Sequence, residues 1–372
     1  MLAHEIREKA VSLGFGDAGF TGIAPFTRWA GEMERRLRTE ESMRPVWERY
    51  RIVSDPLAIM PEAKTVVMLV WPYTPYTGEW PAGHLRWSAY YECRGPARKA
   101  VTALTEWLGR QGVMAVETSD QLPLKEAAER AGLGRIGLNQ LLITPRWGSC
   151  VYLDAILLDT GISGERGSPK PLSCEKCRRC VTICPTGALE NDGVFHREKC
   201  LRHYMLSGDI IPEAIRGHLG NNLVGCDACQ RVCPQNHGQY KGERALKPDT
   251  VTAFSVADIL GEWETGLKAR MDRMAPVIGA NYARANKVLA AALVAAREYP
   301  ELTAVIGRTL SHPHPHIRRY AAWALSFYEG DAAERLLRNA LAGEQDNGVR
   351  EEITAALGRR SHAGKDITDS IE

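Results

Sequence analysis

Apolar positions along this chain change their period twice. Residues 65–70 and 151–158 are short apolar runs rich in β-formers, the pattern of strands buried on both faces. Between them Ala97, Val101, Leu104 and Leu108 recur at helical spacing. Such alternation predicts helices layered on a sheet over residues 1–160. A Gly/Ser/Pro-rich stretch at 161–171 reads as a linker. From about residue 251 the pattern is helical nearly throughout. Segments 286–297, 317–325 and 349–357 are rich in apolar residues, and Ile317 and Val349 begin similar stretches 32 positions apart. His312-Pro-His-Pro315 marks a turn between helices, because proline ends one helix and can open another.

A chain of 372 residues exceeds the size at which one core keeps growing, so two or three domains are expected. The pattern gives an α/β domain over 1–160, a separate cysteine-bearing domain over 165–240, helical repeats over 250–358 and a polar, frayed tail over 359–372. The recurrence at 32 positions suits HEAT-like stacked helix pairs; a plain helical domain fits the same positions. The fold class is therefore α+β/α. Net charge is +2, so any basic surface for nucleic acid must be local. No apolar run reaches membrane-spanning length, and nothing at the N-terminus looks like a signal peptide. The expectation is a cytoplasmic monomer with no membrane association.

Eight of the ten cysteines form two groups. Cys174, Cys177, Cys180 and Cys184 end on Pro185; Cys226, Cys229 and Cys233 end on Pro234, with Cys200 between the groups. This is the spacing of the bacterial two-cluster ferredoxin, in which the last cysteine of each run ligates the other cluster. The expected sets are crossed: Cys174, Cys177, Cys180 and Cys233 for one 4Fe–4S cluster, and Cys184, Cys200, Cys226 and Cys229 for the other. Leu223 occupies the place of the missing first cysteine in the second run, and Cys200 substitutes for it. Structural zinc also uses Cys-x-x-Cys, but gains nothing from the Cys-Pro endings. Cys93 and Cys150 stand outside both groups, as ordinary buried thiols do.

Residues 131–149 carry Gly132, Gly134, Gly137 and Gly148. Glycine admits positive φ and close backbone approach. The register is wrong for a dinucleotide fingerprint, since the residues before it are helix-like rather than strand-like. A loop clasping another large cofactor and a simple tight turn are the two readings.

Taken together, residues 131–149, the two cysteine runs, residues 220–234 and residues 312–325 resemble the epoxyqueuosine reductase family over nearly the whole chain. The resemblance implies a cobalamin-dependent oxidoreductase whose N-terminal domain is similar to that of reductive dehalogenases. Two 4Fe–4S clusters would pass electrons from an external donor to cobalamin, and epoxyqueuosine in the tRNA anticodon region would be reduced to queuosine. Gly132, Gly134, Gly137, Asn139 and Ser149 are the implied cofactor contacts. Asp120, in Asp120-Gln-Leu-Pro123, is the implied proton donor; an ungapped alignment would put Thr118 there, and a helix N-cap is the structural alternative. Arg318 and Arg319 are candidate phosphate contacts, or simply a solvated helix face. Leu138 stands where many members have lysine. Two alternatives remain: a reductase of the same family acting on an organohalide or other small molecule, and an iron–sulfur electron carrier whose helical tail docks a protein.

Overall fold

The computed structural model describes residues 3–363, apart from 51, 165, 168 and 243. The chain packs as two compact units. One comprises residues 1–77, 92–200 and 227–244; the other comprises 78–91, 201–226 and 245–372. Residues of the cysteine region therefore contribute to both.

The first unit is built on a four-stranded sheet in the order Asp17–Thr21, Thr65–Pro72, Val151–Leu158, Ala115–Glu117. Both predicted apolar runs are its central strands, paired over eight residues from Thr65 opposite Leu158 to Pro72 opposite Val151. Every pairing is antiparallel, so the layer forms without the crossovers that a parallel sheet demands. Val66, Met68, Ala155 and Leu157 join one core with Leu122, Ala127, Ala128 and Ala131. The last three lie on or just after the helix Leu124–Arg130, and their small size lets that helix sit close to the strands. The predicted helix before the edge strand runs Tyr90–Arg110. It buries Ala97, Val101, Leu104 and Leu108 and ties to the sheet edge through a hydroxyl bond from Thr102 to Glu117 of 2.8 Å.

The second unit is mostly helical. Helix Pro315–Leu325 packs between Ala285–Ala296 and Asn347–Ala363, while Thr303–Thr309 packs against Asp331–Gly343. Ile317 and Val349 are both buried, so the 32-residue recurrence read from the sequence is the recurrence of equivalent core positions. The segment 201–226 is fastened to these helices by Arg216, which pairs with Glu352 at 3.3 Å with both side chains almost fully buried. Its guanidinium also lies over Tyr320 and Trp323. The last helix runs five residues past the expected boundary at 358. Arg359 holds it by pairing with Glu213, and Arg360 donates to the Leu325 and Gly330 carbonyls. The rest of the expected tail, 364–372, lies outside the described residues. Among the described residues no helix is long and apolar enough to cross a membrane.

Candidate functional site

The first cysteine run folds as two very short helices, Cys174–Cys177 and Arg179–Ile183. Arg178 between them takes a left-handed conformation, φ 51° and ψ 7°, a strained choice for a non-glycine residue that breaks the helix between the second and third cysteines. Proline then turns the fourth cysteine outward. A following proline disfavours the helical region, and Cys184 sits at φ −61°, ψ 114°. Cys233, before Pro234, has nearly the same backbone, φ −72°, ψ 121°. Cys200 adopts it too, at φ −77°, ψ 122°, without a proline after it.

The sulfurs have the surroundings that cluster ligands use. The Ala188 N–H donates to Cys184 Sγ at 3.2 Å. Burial pushes the Cys233 thiol up, while backbone N–H groups of Gln235 and Asn236 pull it the other way. Cys180 is likewise raised by burial and opposed by N–H groups of Val181 and its own residue. Such N–H donors stabilise thiolate and tune cluster potential. Cys233 feels the charges of Cys174 and Cys177, and Cys180 feels those of Cys174 and Cys233. The four members of the first crossed set are thus electrostatic neighbours. Among the described residues no three His, Cys, Asp or Glu side chains close on a single-ion position. Cys93 and Cys150 are buried, and burial pushes each thiol up to about 12.

The glycine run leads directly to the cluster run. Gly148 has φ +56°, and a Cβ on it would fall 2.0 Å from Asn236 Oδ1 and 2.6 Å from the Gln235 carbonyl. The next residue, Ser149, is gripped by the same segment. Its N–H donates to Asn236 Oδ1 at 2.7 Å, and its hydroxyl accepts from Asn236 Nδ2 at 2.9 Å and Gln230 Nε2 at 3.1 Å. Gln230 also reaches the buried Tyr73 hydroxyl. Ser149 is therefore an internal clamp onto the residues flanking Cys229 and Cys233.

The other glycines divide. Gly134 and Gly137 press on Ile143: added Cβ atoms would meet its carbonyl at 2.4 Å and its Cδ1 at 2.5 Å. Their bareness closes the loop's own hairpin, Arg135–Ile136 against Leu142–Ile143. Gly132, at φ +72°, lies against Arg166. Asn139 differs from all of these. It is buried, its Oδ1 accepts from the Leu141 N–H, and its Nδ2 has no protein partner. A buried donor without an acceptor costs free energy unless a bound group supplies one.

Asp120 lies in the turn Ser119–Gln121, with a 71% exposed side chain paired to Arg94 at 3.1 Å. It caps no helix: Leu124–Arg130 starts after Pro123 and has no side-chain cap. Thr118 is fully buried, its hydroxyl donating to the Ala155 carbonyl. A second carboxyl, Asp154, went unread in the sequence. It sits on the central strand opposite Leu69, 2% exposed, and burial pushes it up to about 6, with Asp120 and Glu117 adding to the rise and Arg98 opposing it. A lone acid inside the apolar run 151–158 was the available signal.

The raised Asp154 carboxyl has a consequence for stability. The folded chain holds that proton more tightly than the unfolded chain does, so stability is present at low pH and is lost as pH rises through about 6. Asp154→Asn is expected to leave stability unchanged near pH 4 and raise it by about 2–3 kcal/mol near pH 7. Thermal unfolding across that range checks this, and a pH-independent effect would contradict it.

Arg318 corrects an expectation. It forms a bidentate pair with Glu344 at 2.6 and 2.8 Å and also donates to the His312 and Pro313 carbonyls. It is an internal strut between repeat helices, not a free phosphate contact. Arg319 faces Glu352 at 3.8 Å.

Comparison with known proteins agrees with this geometry. The 4Fe-4S double cluster binding domain matches residues 173–236, and HEAT repeats match residues 280–358. The epoxyqueuosine reductase of Listeria monocytogenes is 30% identical, over 95% of this chain and 96% of its own. That of Gloeobacter violaceus is 32% identical over 76% and 88%. Among solved structures, an epoxyqueuosine reductase with an epoxyqueuosine-modified tRNA-Tyr stem loop superposes with TM-score 0.81 at 24% identity, over 96% of this chain and 98% of that one. The Bacillus subtilis enzyme, with its catalytic aspartate loop swung out of the active site, superposes with TM-score 0.79 at 24% identity over the same shares. With a double-cluster domain, HEAT repeats and an alignment that runs nearly end to end, this chain belongs to the epoxyqueuosine reductase family.

Proposed function

We propose that the chain reduces epoxyqueuosine to queuosine in the anticodon region of tRNA. The reaction removes the epoxide oxygen as water and leaves a carbon–carbon double bond, consuming two electrons and two protons. The two cysteine runs would hold the 4Fe–4S clusters, which would supply electrons taken from an external donor. Cobalamin, when bound, supplies a strongly reducing centre for the C–O bond. The observation that carries this reading is the clamp of Ser149 by Gln230 and Asn236, which joins the glycine run to the loop bearing Cys229 and Cys233.

Each residue then has a task. The crossed cysteine sets hold the clusters. Asn139 would offer its unpartnered buried amide N–H to a polar group of a bound corrinoid. Gly132, Gly134 and Gly137 shape the loop that presents it. Asp120 delivers a proton to the departing oxygen. Its exposed, Arg94-paired position suits a loop held away from the reacting centre until substrate arrives, as in the swung-out Bacillus subtilis structure. The reaction belongs in the cytoplasm, and the chain acts as a monomer.

The test is turnover on epoxyqueuosine-containing tRNA by anaerobically prepared protein with its cofactors loaded. Wild-type protein should convert it. Asp120→Asn should retain both cofactors and lose about 100-fold or more in rate, the range of general-acid catalysis. Unchanged turnover would remove Asp120 from the role, and no turnover by wild type would return the choice to a small-molecule substrate or a carrier.

A further inference from the structure

We propose that a cleft within the second unit, between the helix Leu201–Ser207 and the repeat helices Ala285–Ala296 and Pro315–Leu325, binds the phosphate of a nucleotide unit. The cleft offers about 70 Å³ of enclosed space and opens to solvent. Its floor is apolar, including Ala291 and Val294, while Lys287, His314, His316 and Asn286 stand on its walls. The one carboxylate among its lining residues is the exposed Asp209.

Hydrogen bonding sets what the histidines can offer. His314 Nδ1 accepts from the His316 N–H at 3.2 Å, and His312 Nδ1 accepts from the His314 N–H at 3.0 Å. A ring whose Nδ1 accepts carries its proton on Nε2. His314 therefore presents an N–H donor, and a metal ion would have to displace the proton that this arrangement fixes. Donors facing an open cleft suit an oxyanion. Lys287 spends one N–H on the Leu206 carbonyl and keeps two.

The charges point the same way. Burial lowers the Lys287 pKa and the nearby Arg284 lowers it further; burial lowers that of His316, and His314 and Arg319 add to it, while Asp209 opposes the trend at both. Lys287 and Arg284 are cations that repel one another, Asp209 is the one carboxylate in the lining, and a bound phosphate would offset that repulsion. The apolar floor gives the ring of a nucleotide a surface to cover, which free phosphate would leave exposed to water.

Calorimetric titration of the full-length, cluster-loaded protein with inorganic phosphate, AMP and an RNA stem loop tests the site. Binding is read without turnover, so failure to convert epoxyqueuosine tRNA leaves this measurement standing. Phosphate and AMP should both bind, AMP more tightly. Lys287→Gln and His316→Gln should each weaken both by about tenfold, the worth of one charge-assisted bond. Ala291→Phe, which adds no charge change, should exclude AMP while sparing phosphate. If an RNA chain supplies the phosphate, Lys287→Gln should also weaken stem-loop binding and flatten its salt dependence by about one phosphate contact. Stem-loop binding untouched by substitutions that weaken AMP assigns the site to a free nucleotide. Absence of phosphate and AMP binding in wild type, or wild-type affinities in variants whose circular dichroism is native, would overturn the proposal.

Discussion

Serine at Cys233 is expected to empty the same cluster as serine at Cys177, although the two cysteines belong to different runs. Cys233 is turned out of its helix by Pro234 and lies in the field of Cys174 and Cys177. Iron should fall from about eight to about four per chain in either variant. Turnover should fall to background, because the electron path loses one of its two centres. Cys184→Ser, altered at the other proline-turned cysteine, should empty the second cluster and leave the first. Iron analysis with electron paramagnetic resonance of the reduced protein distinguishes the patterns. If Cys233→Ser instead lost the cluster that Cys184→Ser loses, the crossed assignment would fail.

Alanine at Gly148 should be the most damaging change outside the cysteines. The position needs φ +56°, and its new Cβ would sit 2.0 Å from Asn236 Oδ1. The neighbouring obstacle is the Gln235 carbonyl, so side-chain motion alone cannot make room. Left-handed strain and the clash together should cost about 3 kcal/mol or more. Because Gln235 and Asn236 follow Cys233 and Pro234, relief of the clash would shift that cluster loop and lower turnover as well. Gly161→Ala is the control: nothing lies within 4 Å of its added Cβ, and its effect should stay within about 0.5 kcal/mol. Unfolding midpoints and iron content for the pair give the comparison, and equal behaviour would mean that the close approach at Gly148 has no functional weight.

Much of the metal site was legible because its instructions are local. Two-residue gaps and a following proline act within a few bonds of each cysteine, and the backbone angles at Cys184 and Cys233 are ones that a following proline favours. The stacked helices were legible for a related reason: Ile317 and Val349 repeat a local pattern whose apolar face must be buried somewhere. The antiparallel pairing of the sheet was not, since period-2 and buried-run patterns do not state strand direction.

Sequence by itself determined the two central strands, the double-cluster cysteine region and the family to which the chain belongs, all carried by short-range spacing and apolar period. Tertiary structure alone decided how the side chains between those landmarks are spent. Ser149 meets Asn236 from 87 positions away, and Arg318 meets Glu344 from 26. Gly134 and Gly137 turn out to yield to Ile143, and Asp154 is buried on a central strand. Partners so distant are chosen by the packing of whole elements. A residue's type limits which bonds it can make, but only the folded chain selects which partner is within reach.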